Sequence, residues 1–102
     1  MIEYKVIKEI EQNPAHTQRS LAQKLDISLG KANYVLAGLI QKGIIKAKRL
    51  KKEPEKIRWR YILTPKGMKE KATLTRNYLN KRLHEFDAMQ KEIEELRLEV
   101  GE

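Results

Sequence analysis

Lys31, Asn33 and Tyr34 stand within four consecutive positions of the stretch SLGKANYVLAGLIQKG, residues 28–43. They bring an ammonium donor, an amide that donates and accepts, and a phenol on an aromatic ring. Such groups suit the edges of nucleic-acid bases. Lys can donate to guanine O6 and N7, Asn can pair bidentately with adenine, and Tyr can pack on a thymine methyl or bind phosphate. The positions around them are unusually small. At about 100° per residue, Leu29, Ala32, Leu36, Leu39 and Ile40 fall on one side of a helix. Gly30, Lys31, Tyr34, Ala37, Gly38 and Gln41 lie opposite, with Asn33 and Val35 at the edges. A glycine inside a helix costs about 0.5–1 kcal/mol relative to alanine, and this face carries two. Bare positions let a helix backbone come close to the floor of a groove about 12 Å wide. The competing explanation is that the glycines pack against the protein's own C-terminal segment.

Other chemistries find little support. The 102-residue chain has no cysteine, which excludes disulfides, thiolate metal sites and cysteine nucleophiles. His16 falls in a loop and His84 at an exposed helical position; neither has a partner at metal-ligand or triad spacing, so both read as surface residues. No nucleophile–base pair, metal cluster or phosphate loop is visible, and neither enzyme activity nor a cofactor is expected. No apolar run approaches the roughly 20 residues that span a bilayer, and no signal-peptide core precedes the first charges. The chain reads as soluble and cytoplasmic, with no membrane partner.

Charge is placed unevenly. Between Gln41 and Lys71 twelve Lys or Arg face three Glu, a local net of +9, whereas His84–Glu102 holds two positive and seven negative residues, a net of −5. A concentrated basic block suits a polyanion. Lys48, Arg49, Lys51, Lys52, Lys56, Arg58 and Arg60 suit phosphates or a minor groove. Glu53 and Glu55 in the same block would repel a backbone.

The elements that must carry these residues follow from periodicity and punctuation. IEYKVIKEIEQNP puts Ile2, Val6, Ile7 and Ile10 on one helical stripe, and Pro14 ends it. A second helix opens at Thr17 as N-cap, with Leu21, Ala22 and Leu25 inward. Asp26 takes the left-handed position at its end and Ile27 plugs the corner. Ser28 caps the third helix, so the pair forms a helix-turn-helix. Gly43 reads as the C-cap. IIKAKRL and IRWRYIL then read as strands joined by KKEPEK, a wing. In the second strand Ile57, Trp59, Tyr61 and Leu63 point one way and Arg58 and Arg60 the other, which gives Trp59 a core role.

Thr64-Pro65 opens a last helix. Continued to Val100 at 1.5 Å per residue it spans roughly 54 Å, whereas a 64-residue domain is only about 28 Å across. The helix must project. Ala72, Leu79, Phe86, Ile93 and Val100 recur by seven, with Thr75, Arg82, Met89 and Leu96 three residues on and Leu83 beside them. Such a seam suits a second copy. Glu92 and Arg97 attract in a parallel pair, which is the orientation expected. The resulting fold class is mainly α with a small β-hairpin: a winged helix-turn-helix domain over 1–64, then a long dimeric coiled-coil helix over 65–102.

TQRSLAQKLDISLGKANYVLAGLIQKGIIKA followed by YILTPKG resembles the winged-helix core of MarR-type transcriptional regulators. The helix exit LAGLIQKGII and the wing exit LTPKG carry the resemblance, over about residues 4–70. The start ISLGKANY is similar to the short MarR-like family named for exopolysaccharide-associated regulators. The resemblance implies a bacterial homodimer on double-stranded DNA, with exopolysaccharide genes among the targets. It puts Ser28, Gly30, Lys31, Asn33 and Tyr34 at the major groove, Gln18 and Arg19 near phosphates, and the Arg49–Arg58 hairpin in the wing role. Typical members carry an additional N-terminal helix that helps build the dimer and an effector pocket. Here residue 1 already falls in the first core helix, so a small-molecule effector is not expected. The expectation is thus a dimeric regulator on an inverted repeat. The alternative is a winged-helix adapter whose coil recruits a protein partner.

Overall fold

A computed structural model describes residues 1–50 and 58–102. Three helices, α1 (Ile2–Gln12), α2 (Gln18–Leu25) and α3 (Leu29–Gln41), precede an antiparallel hairpin of β1 (Ile45–Leu50) and β2 (Arg58–Leu63), and α4 (Pro65–Glu99) closes the chain. The architecture is the expected one: mainly helical, with one hairpin and a long terminal helix.

Local chemistry sets each boundary. α1 ends at Asn13, held extended (φ −139) in front of Pro14, where the proline ring disfavours helical backbone. Thr17 and Ser20 form a reciprocal capping box at α2: the Ser20 N–H donates to Thr17 Oγ1 at 3.0 Å and the Thr17 N–H to Ser20 Oγ at 2.8 Å. Asp26 ends α2 in the left-handed region (φ 54, ψ 50), and the Ile27 N–H closes onto the Ala22 carbonyl at 3.0 Å. Ser28 then accepts from the Lys31 N–H at 3.0 Å to start α3. At the end of α3, Gly43 has φ 74, and N–H groups of Gly43 and Ile44 bond the carbonyls of Ile40 and Leu39. This is the Schellman pattern, and only glycine takes that φ without strain.

Val6, Ile7 and Ile10 of α1, Leu21 of α2, Val35, Leu36 and Leu39 of α3, and Ile44, Ile45 and Tyr61 of the hairpin region form one core. The buried stripe of α3 is Ala32, Val35, Leu36 and Leu39. This corrects the wheel: Val35 turns inward, while Leu29 and Ile40 stay 46% and 38% exposed. The physical reason is width, because α1 and α2 cover only a single i, i+3, i+4, i+7 arc.

Two further expectations fail. Trp59 shares a face with Tyr61, but it is 49% exposed, since the hairpin runs past the end of the helical core. His16 is buried, not superficial. Its Nδ1 meets Ser20 Oγ at 2.9 Å and its Nε2 meets Glu9 Oε2 at 3.2 Å, tying α1 to the start of α2. His84 is exposed, as expected.

Thr64 caps α4 by accepting from the Gly67 N–H at 3.0 Å, while its hydroxyl sits between the carbonyls of Gly43 and Ile44. Gly67 is obligatory here: a Cβ would collide with the Ile44 carbonyl oxygen and approach Leu63 Cδ1 to 2.9 Å. Further along, Leu74 packs on the core, Lys71 pairs with Glu11, and Tyr78 stacks on Tyr4 with ring centroids 4.8 Å apart. From Leu79 onward every residue of the chain is exposed. The molecule accordingly measures 69 × 26 × 20 Å.

Candidate nucleic-acid interface

The outward face of α3 is open. Gly30, Lys31, Asn33, Tyr34 and Ala37 are all exposed, Tyr34 to 81%. A Cβ added at Gly30 or Gly38 would meet nothing within 4 Å among the described residues. The C-terminal segment therefore does not cover these glycines, and internal packing does not require them. α3 contains no Asp or Glu, nor do β1 and β2. Ser28, at the head of this face, has its hydroxyl engaged as the N-cap, so what it presents outward is the start of the helix.

A side-chain junction locks this face to its neighbours. Gln18, in the first turn of α2, donates through Nε2 to Asn33 Oδ1 of α3 at 3.3 Å and to the Tyr61 hydroxyl of β2 at 3.2 Å. The start of α2, the middle of α3 and the base of the hairpin are thus tied together. Arg19 is exposed beside Gln18. Both are at the helix start, where backbone N–H groups lack intrahelical acceptors and favour anions. The amide of Gln18 itself is turned inward.

The hairpin carries further cations, Arg49 on the Tyr61 face of the ladder and Lys46, Lys48 and Arg60 on the other. Lys46, Lys48, Arg49 and Arg60 are exposed, and Lys48 stands directly opposite Arg60 across the ladder. Like charges so placed destabilise a sheet pair, and a phosphate near them would relieve the repulsion. Lys51, Lys52 and Lys56 lie outside the described residues, as does the side chain of Arg58.

Residues 2–46 match the family model described as winged helix-turn-helix DNA-binding. No curated protein matches the sequence significantly. Among solved structures, the chain is similar to Streptococcus pneumoniae FabT in complex with DNA, with TM-score 0.63 and 22% identity over 98% of this chain and 74% of that one. A MarR protein from Peptoclostridium difficile gives TM-score 0.68 and 16% identity, over 96% of this chain and 68% of that one. Staphylococcus aureus MepR, solved as a DNA complex, gives 0.59 and 17%, over 97% and 76%. This is the MarR-type winged-helix fold.

Within the MarR-type fold two side chains make contacts that the sequence does not announce. Tyr61 presents its hydroxyl to Gln18, although strand alternation marks it only as a core ring. His16 gathers Glu9 and Ser20, but Ser20 is spent on the capping box and the cluster serves to join helices. Among the described residues no group of three or more His, Asp or Glu is placed to hold a metal, and no helix is long and apolar enough to cross a membrane.

Proposed function

We propose that the protein is a MarR-type transcriptional regulator that binds double-stranded DNA in the cytoplasm as a homodimer. The observation that carries this reading is the open, glycine-bearing face of α3, tied through Gln18 to the base of a hairpin that carries exposed cations. α3 enters the major groove, where Lys31, Asn33 and Tyr34 meet base edges, and Arg19 and the hairpin cations hold phosphates. The DNA-bound states of FabT and MepR, which share this fold, support the same assignment.

The dimer rests on α4. Leu79, Leu83, Phe86, Met89, Ile93, Leu96 and Val100 are each between 44% and 72% exposed, and Ala72 is exposed at the head of the same seam. A stripe of that length is what a second copy would bury. Two copies on DNA would read an inverted repeat with half-sites about 34–36 Å apart. On the resemblance of ISLGKANY alone, exopolysaccharide genes are among the targets.

Selection of bound duplexes from a random pool tests the whole reading. The expected product is a palindromic motif, bound with a log K against log salt slope of several units. Failure to enrich any motif, with no retardation beyond that of random DNA, would favour the adapter, in which the same surfaces dock protein.

A further inference from the structure

The Gln18 junction has a consequence beyond holding three elements together, and it rests on the DNA-binding reading. Asn33 is exposed on α3, a side chain that in isolation would sample several rotamers and both amide orientations. Here its Oδ1 accepts from Gln18 Nε2 at 3.3 Å, and the second hydrogen of that nitrogen goes to the Tyr61 hydroxyl at 3.2 Å. Tyr61 is buried, in the core shared by α1, α3 and the hairpin. Gln18 is therefore anchored on a rigid element and in turn fixes Asn33. Among the described residues the fixed orientation leaves one Oδ1 lone pair and both Nδ2 hydrogens of Asn33 free. That set is what bidentate recognition of adenine N6 and N7 uses.

We infer that Gln18 is a positioning residue for base readout, anchored by Tyr61, and that it sets the donor–acceptor orientation of Asn33 without contacting phosphate through its side chain. Both of its amide hydrogens are occupied inside the protein. Its remaining oxygen is an acceptor and has no attraction for a phosphate.

The experiment compares the full-length protein with Asn33→Ala, Gln18→Ala, Gln18→Glu and Tyr61→Phe by selection from random duplexes, with random-sequence affinity and thermal unfolding measured alongside. Asn33→Ala identifies the base pair that Asn33 reads. Gln18→Ala is expected to flatten preference at that same base pair by about five- to tenfold, the low end of the discrimination a bidentate contact supplies. Its random-sequence affinity and salt slope stay at the wild-type values. Gln18→Glu accepts but cannot donate, so it turns the Asn33 amide round and shifts the preferred base instead of flattening it. Tyr61→Phe keeps the ring and removes the anchor, giving a smaller flattening at the same position. It keeps the test open if Gln18→Ala unfolds.

A uniform loss on all duplexes for Gln18→Ala, with the salt slope shallower by about one, would make Gln18 a phosphate contact and overturn the inference while leaving the regulator reading intact. An Asn33→Ala variant with unchanged base preference would overturn it too. A wild-type protein that enriches no motif would overturn both.

Discussion

α3 and α4 both leave a conspicuous face in solvent, and the two faces are opposites. That of α3 is small apart from Tyr34 and uncharged apart from Lys31, with Gly30 and Gly38 open to the surroundings. The α4 face is large and apolar, with Phe86 and Ile93 55% and 44% exposed. An apolar stripe gains from burial at about 25 cal/mol per Å², whatever surface covers it. A bare backbone gains little from burial; its use is close approach. The contrast teaches that exposure alone does not identify a partner. Residue size and polarity on the exposed face do: a smooth polar face suits a groove lined by hydrogen-bonding edges, and a ridged apolar one suits another helix.

The sharpest way to break this contrast is to put charge on each face in turn. Phe86→Glu with Ile93→Glu should convert a species of twice 12.0 kDa to one of 12.0 kDa, seen by sedimentation equilibrium. Affinity for the palindromic site should fall about 100-fold or more, since bivalent binding is lost. Random-sequence binding per protomer should persist. Gly30→Glu should do the reverse: the dimer survives and DNA affinity drops by a comparable factor in a gel-shift titration, because a carboxylate then faces the phosphates and base edges.

Glycines sharpen the contrast further, because their reasons differ. Gly67→Ala forces a Cβ against the Ile44 carbonyl and should cost about 1–3 kcal/mol in urea unfolding, as overpacking does. Arg49→Ala should leave stability unchanged and make the log K–log salt slope shallower by about one unit. Smallest of all, Gly38→Ala meets no obstacle and should stabilise the protein by about 0.5–1 kcal/mol, raising Tm by a few degrees. A loss of stability there would mean that α3 needs the glycine internally, against the contrast drawn here.

Caps and stops are short-range: Thr17, Asp26, Ser28, Gly43 and Thr64-Pro65 do at their positions what their side chains and backbone preferences dictate. The candidate site was legible in part for the same reason. An open helical face is a property of spacing, and the +9 block a property of composition. Trp59 and His16 were misread because burial depends on what lies across the gap: alternation cannot say how far a hairpin overhangs its core, and nothing near His16 in sequence announces Glu9 from the preceding helix.

What the amino-acid order alone determined, then, is the succession of elements, their ends, and the chemical character of each face, all of which arise from interactions within a few residues. Only the tertiary structure decided that α3 stays uncovered, that α4 parts from the body after Tyr78, and that Gln18 reaches Asn33 and Tyr61, 15 and 43 residues away. These depend on packing between segments distant in the chain. Local propensity and periodicity carry no information about that packing, which exists only once the core has formed.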